Sequence, residues 1–180
     1  MTIAARLKIR PAQPEDAEAV NRLLERSYGQ LLAGFYEPRL LERALPAMVR
    51  ANPSLLACGT WYLAEDAADG RLLGCGGFTS EAPGGGSSSG RHGHVRHVAS
   101  DPDALRRGVA RAVLERSLAE ARARGLSTLE AASTLAAERF HAAMGFVAQR
   151  RFDVEIPWRG APGGEPEILR FPAVLMTRAL

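Results

Sequence analysis

Apolar positions recur at two different spacings along the chain, and the stretch from His94 to Ala121 contains both. Val95 and Val98 are the apolar anchors of a short strand, and their separation of three residues instead of two indicates a β-bulge between them. Asp101-Pro102-Asp103 ends this strand, because proline cannot donate to a sheet ladder and aspartate favours turns. Helical spacing then predicts a long helix that stops at Gly125 and has one apolar face: Val109, Val113, Leu114, Leu118 and Ala121.

The rest of the chain alternates between strand and helix patterns. Strands are predicted at residues 5–10, 60–65, 71–79, 126–133, 147–156 and 168–179. Helices are predicted from Pro14, from Pro38 and over residues 133–146, and Pro46 is expected to kink or split the second of them. Residues 83–90 are predicted to be a flexible connector, and residues 157–166 are predicted to join the last two strands.

The predicted strand at residues 71–79 is rich in glycine, with Gly74, Gly76 and Gly77 close together. This run does not open a helix and does not have the G-x-G-x-x-G spacing of a dinucleotide-binding loop. A bulge or a close approach of another backbone is therefore the better interpretation.

Composition narrows the class of protein without naming one. The 180 residues, 46% of them apolar, are enough for one globular domain that spans residues 1–180. The formal charge is only +3 and the arginines alternate with acids, so a solvated surface is predicted and a nucleic-acid partner is not. Cys58 and Cys75 lack the paired spacing of a zinc ribbon or a disulfide framework. No stretch approaches the roughly 20 apolar residues of a membrane span, so no membrane partner and a cytoplasmic location are expected.

The junction between strand and long helix, LRRGVA at residues 105–110, is the first candidate binding site. Gly108 and Ala110 leave space where the helix begins, so several backbone N–H groups that have no partner within the helix can face one point. The helix dipole adds about half a positive charge there, and Arg106 and Arg107 add formal charge. These features predict a site for a phosphate or pyrophosphate, with an ordinary helix start and solvated arginines as the alternative.

The same segment resembles motif A of the GNAT superfamily of N-acetyltransferases, whose loop follows the pattern Q/R-x-x-G-x-G/A before a helix. Gly108 and Ala110 take the two small-residue positions, and Leu105 stands where Gln or Arg is usual. The resemblance implies that the ligand is the pyrophosphate of acetyl-coenzyme A. The residues that it implies for cofactor binding are Val98, Ala99, Ser100, Arg106, Arg107, Gly108, Val109, Ala110, Arg111 and Thr134.

Residues 133–146 resemble the motif B region of the same superfamily, in which N-x-x-A-x-x-F-Y-x-x-x-G-F is common. Ala137, Phe140, Gly145 and Phe146 match this pattern, and Thr134 takes the Asn position. His141 stands where that family has the tyrosine that commonly protonates the departing thiolate. The resemblance therefore makes His141 the candidate general acid, and the alternative is that His141 only packs beside Phe140 on the short helix.

Three of the four histidines, His92, His94 and His97, lie within six residues. His94 stands where the superfamily often has a glutamate that serves as general base, and an imidazole with an ordinary pKa of about 6.5 can accept a proton there. The alternatives are that the histidines are structural, or that an H-x-H pair on a strand binds a metal in a different class of enzyme. No nearby acid or cysteine completes a convincing ligand set, since Glu81 would have to reach across a flexible loop, and we expect no metal.

The resemblance implies an α/β fold: a mixed, mostly antiparallel sheet with helices on both faces, splayed near Val98 to Ser100 to admit the cofactor. It implies direct transfer of acetyl from acetyl-coenzyme A to an amine in a ternary complex, with the first two helices beside the acceptor. Tyr28, Phe35 and Tyr36 either line that pocket or belong to the core. A small-molecule or peptide amine is the expected acceptor, a homodimer stays open, and a binding protein that has lost catalysis is a further alternative.

Overall fold

The computed structural model describes residues 7–81, 90–160 and 165–180, and this part of the chain forms seven strands and five α-helices. The strands are β1 Leu7–Pro11, β2 Trp61–Asp66, β3 Leu72–Thr79, β4 His92–Ser100, β5 Thr128–Thr134, β6 Val147–Arg159 and β7 Pro166–Ala179. The helices are α1 Ala17–Leu31, α2 Pro38–Met48, α3 Pro53–Ala57, α4 Val109–Ala123 and α5 Glu138–Ala143. No helix in the described part is long and apolar enough to cross a membrane.

The seven strands form one sheet in the order β1-β2-β3-β4-β5-β7-β6. Every neighbouring pair is antiparallel except β4 and β5, which run parallel. The predicted fold class, a mixed and mostly antiparallel sheet with helices, is therefore confirmed.

Helices cover both faces of the sheet. Successive side chains of a strand point to opposite faces, so neighbouring residues of β2 contact different helices. On β2, Trp61 and Leu63 pack in a cluster with residues of α1 and α3. Their neighbours Tyr62 and Ala64 pack on the other face with Val109 and Val113 of α4. The strand is nearly continuous in apolar residues because it is buried from both sides.

The predicted bulge in β4 is confirmed. Arg96 pairs with Gly77 and Ala99 pairs with Cys75, so two residues of β4, His97 and Val98, stand opposite Gly76 alone. Gly76 has a φ of +153°, and a Cβ there would lie 2.9 Å from Cγ2 of Val98. Glycine is required because any side chain would push the bulge away, which confirms the close approach inferred from the glycine run.

A gap opens in the sheet beyond the first residues of β4. The strands β4 and β5 pair only from His92 to His94, and further along β5 pairs with β7. From Val95 onward, the register of β4 in the described residues involves β3 alone. The splaying expected near Val98 to Ser100 is thus present, and it leaves backbone groups of β4 facing an open space.

Several predicted boundaries were wrong. Pro46 does not split α2, because it lies in the last turn and the helix ends at Met48. The helix α5 begins only at Glu138, since residues up to Thr134 still belong to β5. The last two strands extend into the predicted connector at residues 157–166, of which 161–164 lie outside the described residues. The predicted strand residues 5 and 6 and the connector at 83–89 also lie outside them.

Candidate active site

The turn before α4 has a backbone conformation that exposes the start of the helix. Gly108 occupies the N-cap position with φ of +79°, and Arg106 also has a positive φ of 59°. Gly108 has no side chain that could cap the N-terminus of α4, and the first turn of this helix contains no acidic residue. The first N–H groups of the helix and the positive end of its dipole are therefore available to an anion.

A cavity of about 670 Å³ lies beside this turn, and we call it the helix-start cavity. Nine of the ten predicted cofactor-binding residues line it: Val98, Ala99, Ser100, Arg106, Gly108, Val109, Ala110, Arg111 and Thr134. Arg107 is the exception, because its Nη2 lies 3.3 Å from Oδ2 of Asp66 at the end of β2. Leu105, which stands where the resemblance has Gln or Arg, also lines the cavity and is 43% exposed.

A second cavity, of about 390 Å³, follows the gap between β4 and β5, and we call it the sheet-gap cavity. Its lining is mostly apolar and comes from α1, α2 and α5 and from strands on both sides of the gap. Arg96 on β4 and Glu155 on β6 are its charged lining residues, and the polar rings of the lining are Tyr28, His97 and His141. Of the three aromatic candidates, Tyr28 lines both cavities, Tyr36 is buried in a core cluster and Phe35 is exposed.

The predicted base His94 lies outside both cavities. Its Nδ1 is 3.6 Å from Oε1 of Glu130, which is its register partner on the parallel strand β5. Burial lowers the pKa of His94, although the charge of Glu130 acts in the opposite direction. The structure thus places His94 beside a carboxylate near the closed end of the gap, and its role as a base stays a prediction.

His97, three residues further along β4, lines the sheet-gap cavity, whereas the predicted base His94 does not. Nδ1 of His97 lies 3.3 Å from the Tyr28 hydroxyl, and burial lowers the pKa of His97 to about 4. The bulge turns this residue into the sheet-gap cavity, which strict alternation along a strand does not predict. The Val95–Val98 spacing located the bulge, but it did not indicate which histidine the bulge reorients.

His141 is buried on α5, and it also lines the sheet-gap cavity. Its Nδ1 lies 2.9 Å from Oγ of Ser133, and its Nε2 has no hydrogen-bond partner in the described part of the chain. Burial lowers the pKa of His141 to about 4, so the free ring is neutral at pH 7. A neutral imidazole is a weak acid, so the predicted general-acid role gains no support from the charge of the ring.

The histidine cluster is dispersed in the structure. His92 is exposed, His94 lies beside Glu130, and His97 lies against Tyr28. Among residues 7–81, 90–160 and 165–180, no three His, Cys, Asp or Glu side chains converge in a way that could hold a metal ion. The metal-enzyme alternative therefore lacks a ligand set in this part of the chain.

The uncapped start of α4 beside the splayed sheet is a site at which an anionic group can bind, next to a cavity that extends along β4. Residues 18–146 match the model of the Acetyltransferase (GNAT) family, and the chain belongs to that family. No curated protein sequence matches the chain.

Solved structures with low sequence identity share the fold. A GCN5-related N-acetyltransferase from Rhodopseudomonas palustris has a TM-score of 0.73 and 24% identity, over 97% of this chain and 96% of its own. The PaiA N-acetyltransferase from Thermoplasma acidophilum, crystallised with coenzyme A, has a TM-score of 0.68 and 14% identity, over 97% and 99%. A ribosomal-protein alanine N-acetyltransferase from Escherichia coli has a TM-score of 0.60 and 17% identity, over 96% and 93%.

Acetyl-coenzyme A is the co-substrate of this family, and the chain is therefore an acetyl-coenzyme A-dependent acetyltransferase. The described residues fit this group. Gly108 leaves open space where any Cβ would stand, the start of α4 is uncapped, and Arg106 and Arg111 line the same cavity. When bound, acetyl-coenzyme A supplies the activated acetyl group, and the chain supplies binding groups and orientation.

Proposed function

We propose that the chain transfers acetyl from acetyl-coenzyme A directly to a primary amine, with both substrates bound at once. The observation that carries this proposal is a shared wall between the two cavities: Tyr28, Val98, Thr134 and Ala137 line both. A donor in one cavity and an acceptor in the other can meet at that wall without an acyl-enzyme. Holding the two reactants together lowers the entropic part of the barrier.

The helix-start cavity is the donor side of this proposal. The backbone N–H groups at Gly108 to Arg111 bind the pyrophosphate, and Arg106 and Arg111 neutralise its charge. The free edge of β4 from Val98 to Ser100 binds the pantetheine as an added strand would bind. An N–H of the same strand polarises the thioester carbonyl. Thr134, which belongs to the shared wall, contacts the pantetheine.

The sheet-gap cavity is the acceptor side. Its mostly apolar lining favours an amine with an apolar body. His94, beside Glu130, stays a candidate base that acts through water because it lines neither cavity. His141 lines the acceptor side and stays a candidate for contact with the reacting atoms.

The donor half is tested by Gly108→Glu, which places a carboxylate in the proposed pyrophosphate site. Gly125→Glu is a matched control: Gly125 has a similar φ of +76°, has open space around a Cβ and lies just beyond the opposite end of α4. In calorimetric titrations with coenzyme A, we expect at least a tenfold loss of affinity for Gly108→Glu and wild-type affinity for the control. Unchanged affinity in Gly108→Glu would remove the proposed binding site.

The acceptor half is tested by release of coenzyme A thiol in the presence of representative amines. The panel consists of a polyamine, an α-amino acid, an aminoglycoside and a short peptide with a free N-terminus. Turnover with one of them supports the proposal and identifies the acceptor class. Tight coenzyme A binding without turnover on any amine would instead favour a binding protein that has lost catalysis, and stoichiometric metal in dialysed protein would favour the metal-enzyme alternative.

A further inference from the structure

A tyrosine and a histidine meet at the wall that the two cavities share. The Tyr28 hydroxyl lies 3.3 Å from Nδ1 of His97, and the two rings stack with centroids 6.4 Å apart. Tyr28 lines both cavities, whereas His97 lines the sheet-gap cavity. The pair thus combines an O–H group that reaches the donor side with an imidazole that borders the acceptor side.

The backbone holds His97 in this position against its conformational preference. Its φ of 45° lies in the left-handed region, which is uncommon for residues other than glycine. The bulge opposite Gly76 imposes this conformation, and the Cys75 thiol donates to the His97 carbonyl at 3.6 Å. Backbone outliers of this kind concentrate at functional sites, where the surrounding structure maintains them.

Resting on the acetyl transfer proposed above, we propose that Tyr28 and His97 act as one proton-transfer pair. The pair takes the proton that the attacking nitrogen loses, and it gives one proton to the departing thiolate. Tyr28 contacts the reacting atoms from the shared wall, and His97 exchanges protons with Tyr28 through Nδ1. This assigns proton transfer to neither of the histidines that the sequence pattern selects, His94 and His141.

The protons and electrons of this step balance. The acceptor ammonium first loses one proton to water, and the neutral amine forms a bond to the acetyl carbonyl carbon. The C–S bond breaks and its electron pair stays on sulfur. The nitrogen's second proton passes to Tyr28 while the Tyr28 proton moves to His97, and the reverse movement delivers a proton to the thiolate. The pair ends as it began.

The charge state of the pair suits this exchange. Burial lowers the pKa of His97 to about 4 and raises the pKa of Tyr28, so both groups are neutral before the reaction. An imidazolium formed here releases its proton readily to a thiolate, whose thiol has an ordinary pKa of about 8.5. The other titratable groups near the pair are Cys75 on β3, Arg96 on β4 and His141 on α5, and Glu155 on β6 also lines the sheet-gap cavity.

The test measures kcat and KM for acetyl-coenzyme A with the amine panel described above. Tyr28→Phe removes only the hydroxyl, and His97→Asn removes the base while keeping a side chain that tolerates a left-handed backbone. We expect each to lower kcat about a hundredfold, with coenzyme A affinity by calorimetry and the thermal unfolding midpoint close to wild type. The double variant should be no slower than the slower single variant, because the two residues act as a unit.

Two controls lie outside both cavities. His92→Asn makes the same exchange at the exposed start of β4, and Tyr62→Phe removes another buried phenol oxygen. Both are expected to keep the wild-type kcat. Wild-type turnover in Tyr28→Phe or His97→Asn would overturn the proton-transfer pair and leave the acetyl transfer intact. Coenzyme A binding by the wild type without turnover on any amine would overturn the acetyl transfer and the pair together.

Discussion

Arg106 and Arg107 are neighbours in the chain, but their side chains have different surroundings. Arg106 lines the helix-start cavity, whereas the Arg107 guanidinium lies against Asp66. The positive φ of Arg106 separates the directions of the two side chains. The two adjacent arginines look equivalent in the sequence, but one guanidinium lies at the cavity and the other is paired with an aspartate of β2.

Replacing each arginine with alanine should distinguish the two positions. We expect Arg106→Ala to weaken coenzyme A binding three- to fivefold at low salt and less at high salt, because an exposed charge pair contributes about 1 kcal/mol or less and is screened. Arg107→Ala should change the affinity by less than twofold, since its partner is Asp66. Calorimetry at two salt concentrations checks this, and equal losses for both variants would show that Arg107 also reaches the ligand.

The four histidines show what the sequence can determine at the scale of a residue. The sequence itself gives their positions on β4 and in the motif B region, and the resemblance predicted that His141 lies beside the reacting thioester. The contact of His97 with Tyr28 joins residues 69 positions apart, and the contact of His141 with Ser133 forms only because α5 folds back onto β5. Residue types therefore indicated the kind of chemistry, but the three-dimensional contacts were needed to assign the groups.

At the scale of elements, the sequence predicted what local signals encode. The bulge, the glycine-rich strand and the start of α4 were all found because Gly, Pro and apolar spacing mark them. The five-residue helix Pro53–Ala57 was missed because it is too short to show a helical repeat. The gap between β4 and β5 followed only from the resemblance, since it depends on strand pairing that no local pattern specifies.

Gly76 provides the element-scale prediction, because the bulge depends on its missing side chain. In Gly76→Ala the new Cβ would lie 2.9 Å from Cγ2 and 3.0 Å from Cα of Val98. We expect a loss of about 2 kcal/mol in the free energy of unfolding, from strain and displacement of β4. Gly29→Ala on the exposed face of α1 has open space and should instead stabilise by about 0.5–1 kcal/mol. Urea unfolding checks both, and a neutral Gly76→Ala would mean that β4 can shift freely.

At the scale of the whole molecule, the sheet gap places two imidazoles in one cavity between the layers, one buried and one half-buried. His97 and His141 come from β4 and α5, and burial lowers the pKa of each to about 4. Both rings line the sheet-gap cavity, so the feature that admits an acceptor also places titratable groups inside the fold. The stability of the chain therefore depends on pH through the same cavity that we propose for the acceptor.

The direction in which pH changes the stability follows from comparing the pKa values of these histidines in the folded and unfolded chain. The unfolded chain protonates each of these histidines near the ordinary pKa of about 6.5, whereas the folded chain does so only near 4. Between these values the unfolded state binds more protons, so stability is complete above pH 6.5 and falls as the pH drops towards 4. The loss between pH 7 and pH 5 is about 2 kcal/mol for a fully buried histidine such as His141.

Replacing His141 with phenylalanine should remove its share of this loss. The ring already packs edge-on against Phe146, and Ser133 retains the Thr134 carbonyl as a partner, so an aromatic substitute fits the site. In urea unfolding at pH 7 and pH 5, we expect His141→Phe to lose about 2 kcal/mol less than wild type between the two pH values. His92→Gln, at an exposed position, serves as the control and should follow the wild type. An identical pH dependence in His141→Phe and wild type would mean that His141 protonates in the folded chain as readily as in the unfolded chain, and its neutral state in the cavity would have to be abandoned.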